Sequence, residues 1–462
     1  MAYHQVLTKK RLGVPSVRES VALRRLITEQ KYRDVLPRAM RNQGVDCWLI
    51  FDREFNPDPI LVDLGGDTGG VRTAHMFFDR GTGIEKVVIN SHGFRERIIP
   101  ELFDEVIFYG YEPEGIAPHL KPVIEQRDPQ RIGINCSPTL PMADGLSYEL
   151  RRFLEQVLGP KYSARMVSAE LVARDYRTTR VPAEIEFYRR LCGWTAAWLE
   201  TALSEELIRL GKTTPAEMYW AMREVARDLS LGPGLVPSVR LSRAGINFEE
   251  NTDRETVQPG DYIQIDAGLT YLNYYTDMKR MAYVRRDSET APPPRVRAAY
   301  AAAVRMRDVI VGHLKPGAIG TEVWQVVADH ATAQGYEILH PTGGRMRRVG
   351  NKPGFGNYTH AIGNNIHGIG PRVAEDWPLA FGDRVRYPMD LGHWYSIELH
   401  LATPIPEWDN RTIETHIEEQ ARIVGDGQVG YFAPPREELL LIPRQVRRRA
   451  ARRAMRAKER KR

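Results

Sequence analysis

At 462 residues, with 42% hydrophobic and 27% charged residues, the chain is too long for one ordinary domain and too apolar for a disordered protein. No uninterrupted apolar run approaches the ~20 residues that span a bilayer, and the first residues, MAYHQVLTKKRLG, lack the apolar core of a signal peptide. The net charge of +6 is carried by the end of the chain: residues 444–462 hold eleven Lys/Arg and one Glu, so the remainder is mildly acidic. Such a run could contact nucleic acid, but a solvated terminal helix is the simpler reading. Three widely spaced cysteines, Cys47, Cys136 and Cys192, suit a reducing cytoplasm and form no metal motif.

Residues 1–170 alternate helical and strand patterns, which predicts an α/β layer domain. Helical spacing runs from Val21 to Asn42. Residues 45–52 (VDCWLIFD), 86–91, 105–110 and 131–135 read as buried strands separated by Gly/Pro-rich turns. No nucleophile, base and ligand types stand together at motif spacing in this part. A long helix is predicted over 182–211, where Ile185, Tyr188, Leu191, Trp194, Trp198 and Ala202 recur at three- and four-residue spacing; Pro182 suits its first turn and Gly211 its end. Its aromatic stripe reads as core. Thr214 and Glu217 have the spacing of a capping box opening the next helix. From Asp261 strands and long loops dominate, with helices around 295–315 and 321–334. A second domain over 171–435 and a basic tail over 436–462 complete the expected layout.

The chemistry gathers in four segments of that second domain. In GDYIQIDAGLTYLNYYTDMKRMAYV (260–284), Asp266 alternates with apolar neighbours and Asp277 follows eleven residues later beyond a turn. Carboxylates on adjacent antiparallel strands can meet across the ladder, where a cation or a shared proton relieves their repulsion. THAIGNNIHGIGP (359–371) sets His360 and His367 around glycines. WYSIELHL (394–401) places Glu398 between Ile397 and Leu399, too apolar a setting for an unpaired carboxylate. THIEEQARIVGDG (415–427) carries Glu418 before Asp426-Gly427.

This ordered set resembles the pita-bread metallopeptidase superfamily (M24), which includes methionine aminopeptidase, aminopeptidase P, prolidase and creatinase. The leading α/β domain places the resemblance on the creatinase, prolidase and aminopeptidase P branch. The resemblance implies an N-terminal creatinase-like α/β domain followed by a pita-bread catalytic domain. It also implies two divalent cations, Mn²⁺ first, with Fe²⁺, Co²⁺ or Zn²⁺ as alternatives. By the same resemblance Asp277 and Glu418 bridge the cations, His360 and Glu398 complete one position and Asp266 closes the other. Glu398 is then the proton shuttle, and His367 the contact to substrate or tetrahedral intermediate. The implied activity is hydrolysis of small Xaa-Pro peptides by a cytoplasmic homodimer.

The substrate shell departs from the family pattern. Its peptidases carry a histidine in the loop before the first metal strand, whereas residues 243–261 contain none and offer Glu249, Glu250 or Asn251. His393 and His400, close to Glu398, are further candidates for substrate contact, and Arg345, Arg347, Arg348 and Arg372 for anchoring a proline-containing substrate. These departures keep open a creatinase-like hydrolase or lyase acting on a non-peptide metabolite; a non-catalytic binding protein, supported by the basic tail alone and opposed by the five intact ligands, is the third alternative.

Overall fold

The computed structural model describes residues 3–66, 71–91, 100–110, 113–246, 251–342, 345–346, 352–408 and 410–443. The chain divides into two compact units, Pro15–Phe187 with Trp377–Asp383, and Met1–Val14 with Tyr188–Asp376 and Arg384–Arg462.

The first unit is a six-stranded mixed sheet. Its strands are β1 (Cys47–Asp52), β2 (Thr73–Asp79), β3 (Ile84–Asn90), β4 (Glu105–Phe108), β5 (Ile132–Ile134) and β6 (Met166–Ser168), in the order β4-β3-β2-β1-β5-β6. The central strand β1 is buried along its whole length, as its unbroken apolar run requires. Trp48 Nε1 donates to Asn135 Oδ1 at 2.9 Å, and Asn135 Nδ2 donates to Asp58 Oδ2 at 2.9 Å, which satisfies the polar ends buried with it. The expected helix over Val21–Asn42 is two helices, Val17–Asp34 and Leu36–Asn42. Pro37 is the reason: it has no N–H to donate to the carbonyl of Arg33, so the first helix cannot run through it.

His75 on β2 is fully buried, and burial holds its imidazole down to about 3 from an ordinary 6.5. The unfolded chain takes up this proton as pH falls below 6.5 while the folded chain refuses it. The stability the neutral ring contributes is therefore complete above pH 6.5 and is lost progressively toward pH 3. Urea denaturation of wild type and His75→Met should show the difference in stability between the two proteins shifting against wild type by about 3 kcal/mol between pH 7 and pH 4. A constant difference would show that His75 titrates normally.

The second unit is built on an eleven-stranded sheet. Its strands are β7 (Gly232–Ser242), β8 (Tyr262–Tyr271), β9 (Tyr274–Tyr275), β10 (Met278–Val284) and β11 (Glu337–Ile338). After the small ribbon of β12 (Pro341–Thr342) and β13 (Arg345–Met346) come β14 (Gly354–Asn357), β15 (His360–Ala361), β16 (Trp394–Ile405), β17 (Arg411–Gly425), β18 (Gln428–Tyr431) and β19 (Leu440–Ile442). The path β11-β14-β16-β17-β10-β8-β7 carries β15 beside β16 and β9 beside β8. Ile397, Leu399 and Leu401 of β16 and Ile413, Ile417 and Ala421 of β17 join a core with residues of the helices Pro294–His313 and Gly320–Ala333. Strand alternation sends Glu398, His400, Glu414, His416 and Glu418 to the other face.

The long helix ends at Ala202, earlier than its spacing predicts. The Ser204 hydroxyl donates to Thr201 O at 2.7 Å and accepts from Glu206 N at 3.2 Å, local bonds that compete with the helical ladder. Its aromatic stripe is core: Tyr188 stacks on Trp394 at 4.3 Å between centroids and meets Phe432 edge-on. Thr214 accepts from Glu217 N at 3.2 Å and Glu217 accepts from Thr214 N at 2.9 Å, completing the expected capping box.

Candidate metal centre

The centre starts from a tight hairpin. Leu272 and Asn273 join β8 to β9 with φ of 52° and 64°, the pair of positive φ values that a two-residue type I′ turn demands. The chain returns so closely that a Cβ on Gly268 would lie 1.7 Å from Thr276 O, a place only glycine fills. The Thr276 hydroxyl accepts from Leu269 N at 2.9 Å and fixes the approach. Just beyond, the Asp277 carbonyl accepts from Ser396 Oγ at 3.3 Å and from Gln420 Nε2, which ties it to β16 and β17.

Register then decides what meets. Glu398 stands opposite Glu418 on β16 and β17, and His360 on β15 stands opposite Ser396. Asp266 is not opposite Asp277. Its partner across the β8–β10 ladder is Lys279, which in turn faces Glu418 on β17. Lys279 is the side chain of this cluster that motif reading passed over. Its Nζ lies 3.2 Å from Asp266 Oδ2, 2.7 Å from Glu398 Oε1 and 2.6 Å from Glu418 Oε2.

The five predicted ligands are therefore brought together. His360 Nδ1 bonds to Ala361 O at 2.9 Å, which leaves Nε2 facing the carboxylates. That nitrogen is 3.9 Å from Asp277 Oδ2, 3.8 Å from Glu398 Oε2 and 3.7 Å from Glu418 Oε1, beyond hydrogen-bond reach. Buried His360 Nε2, Asp266 Oδ1 and Asp277 Oδ1 have no hydrogen-bond partner among the described residues. Two sets, His360–Glu398–Glu418 and Asp266–Asp277–Glu418, keep their ligand atoms within 4.8 Å of one another. Orphaned donor atoms converging at this spacing fit a divalent cation.

Electrostatics point the same way. Burial and the neighbouring Glu418 push Asp277 well above the usual carboxylate range, and burial raises Asp266 to about 6. Burial would raise Glu418 as well, but Lys279 and His360 hold it down to about 2. Burial also opposes the charge on Lys279, yet Asp266, Glu398 and Glu418 together keep its pKa well above the ordinary value. One ammonium among four carboxylates leaves negative charge for further cations.

Of the remaining candidates, some adjoin this cluster and others do not. The His367 ring lies edge-on to His360 at 4.8 Å, and its imidazole is held below the ordinary value by partial burial, His360 and Arg372. Arg372 bridges to His360 through the backbone, which seats it beside the cluster. His400 and His416 stack at 4.2 Å across β16 and β17, and Glu414 bonds His400 Nε2, extending the same strand face. Their two-residue spacing from Glu398 and Glu418 was the signal for this row. His393 Nδ1 accepts from Asp390 N at 3.1 Å in the turn before β16. Glu249, Glu250, Arg347, Arg348 and residues 444–462 lie outside the described residues, as does the side chain of Arg345.

The fold has structural counterparts. The X-Pro aminopeptidase of Thermotoga maritima MSB8 is similar at a TM-score of 0.62 and 18% identity, with 87% of this chain and 99% of that one covered. The Xaa-Pro dipeptidase of Bacillus anthracis gives 0.60 and 17%, covering 90% and 99%. The His350Ala form of Escherichia coli aminopeptidase P gives 0.58 and 17%, covering 88% and 94%. Comparison with the curated proteins finds no match. The model of metallopeptidase family M24 matches residues 186–425, more than half of the chain and all five candidate ligands. The chain thus belongs to metallopeptidase family M24, with the pita-bread metallohydrolase fold that this family and its structural neighbours share.

Proposed function

We propose that the protein is a metal-dependent peptidase that cleaves short Xaa-Pro peptides, with Asp266, Asp277, His360, Glu398 and Glu418 holding the cationic charge of the centre and Mn²⁺ as the divalent ion. The observation that carries this reading is the buried His360 Nε2 set among three carboxylates at 3.7–3.9 Å. A bound divalent ion supplies polarisation of the scissile carbonyl and a water of lowered pKa. The chain's residues do the rest. Glu398, on the rim of the cluster, moves the proton; His367, neutral at pH 7, donates or accepts a hydrogen bond at the reacting oxygen; Arg372 brings fixed positive charge to the same side. Three cysteines without disulfides support a reducing compartment. No described helix is long and apolar enough to cross a membrane. Assembly as a homodimer is part of the proposal.

A second reading, cleavage of a non-peptide C–N bond, draws on the loop before the first metal strand, where residues 243–261 contain no histidine. Turnover by the Mn²⁺-loaded protein on a dipeptide panel plus guanidino and ureido metabolites tests both. Xaa-Pro dipeptides should be hydrolysed at least about tenfold faster, in kcat/KM, than any non-peptide. The reverse ranking would install the second reading.

A further inference from the structure

Resting on the reading of a metal centre, we propose that the chain supplies one of the centre's cations itself: the Lys279 ammonium occupies the position between Asp266, Glu398 and Glu418, and a single divalent ion binds beside His360. The two glutamates divide their oxygens accordingly. Glu398 Oε1 and Glu418 Oε2 accept from Lys279 Nζ at 2.7 and 2.6 Å, while Glu398 Oε2 and Glu418 Oε1 face His360 Nε2 at 3.8 and 3.7 Å. Glu418 Oε1 also accepts from Ser396 Oγ at 2.7 Å.

The distances distinguish the two positions. Contacts of 2.6–3.2 Å are those of an ammonium hydrogen-bonding carboxylates. Ligands about 2.0–2.2 Å from one ion stand ~3–4 Å from each other, which is the spacing around His360. An ion seated on Asp266, Asp277 and Glu418 would share two of the carboxylates that Lys279 holds, bringing two positive charges almost into contact.

The lysine is also built in. It lies on an interior strand, between Asp266 on β8 and Glu418 on β17, and is 8% exposed. The alternation that turns Asp277 into the cluster turns Lys279 there too, two residues later. Among the described residues its ion pairs are with cluster carboxylates.

The test is metal stoichiometry in the full-length, metal-stripped protein titrated with Mn²⁺, read by calorimetry, by bound Mn²⁺ after gel filtration and by electron paramagnetic resonance. Wild type should bind one Mn²⁺ per chain with the spectrum of an isolated ion. Lys279→Met should bind two, with the spectrum of a spin-coupled pair. Within the wild-type background, Asp266→Asn should keep the single ion with less than about a tenfold loss of affinity, and His360→Ala should lose about a hundredfold or more. These two variants carry the test if Lys279→Met does not fold. Two coupled ions in wild type would overturn the proposal and leave the metal-centre reading standing. No ion in either wild type or Lys279→Met would overturn that reading, and the proposal with it.

Discussion

Replacing Asp277 by alanine should lower kcat/KM on the best substrate by at least about 10³-fold, close to 4 kcal/mol of transition-state stabilisation. Asp277 belongs both to the set with His360 and His367 and to the set with Asp266 and Glu418. Its side chain is buried at the point where the hairpin meets β16 and β17, so no solvent-borne ligand replaces it easily. Removing a carboxylate that its neighbours crowd should not destabilise the metal-free protein. The thermal midpoint without metal should therefore hold or rise, while the increase that Mn²⁺ gives wild type should shrink or vanish. That combination separates a lost ligand from a lost fold. Activity within tenfold of wild type, with the Mn²⁺-dependent increase retained, would remove Asp277 from the centre.

Part of this centre was legible because burial punishes carboxylates. Glu398 between Ile397 and Leu399 could not stand in an apolar strand without a counter-charge, whereas Asp266 and the rest of the set were read as ligands from the family resemblance. What the sequence hid was register. Two aspartates on adjacent strands read as opposed, but the two-residue turn at Leu272–Asn273 sets Asp266 against Lys279 instead. Lys279 in MKRMAYV drew no reading from the sequence; its period-two relation to Asp277 was the clue. The helix ends were missed for a different reason. Pro37 acts through a missing N–H and the Ser204 hydroxyl through local bonds to the backbone, neither of which apolar spacing records.

The residues one step on from Lys279 and Glu418 face away from the cluster and carry the largest stability effect expected outside it. Arg280 Nη1 donates to Glu419 Oε1 at 3.0 Å and to Lys279 O at 2.8 Å, and the two side chains are 1% and 2% exposed. Glu419 also accepts from Arg436 N at 3.0 Å, and burial raises its carboxyl despite Arg280. A buried pair of this kind adds little over a well-packed apolar pair, but removing one partner strands the other charge in low dielectric. Arg280→Met should accordingly destabilise the unit by about 3–5 kcal/mol in urea denaturation. Arg280→Met combined with Glu419→Leu should recover most of that loss, since neither charge then remains. The coupling should be visible at the centre as well. Glu418 and Lys279 are held by the same backbone, so Arg280→Met alone should weaken Mn²⁺ binding about 10–100-fold, as loss of a supporting residue does, and the double variant should restore it. A double variant no more stable than Arg280→Met would mean that Arg280 acts through packing and its bond to Lys279 O, not by neutralising Glu419.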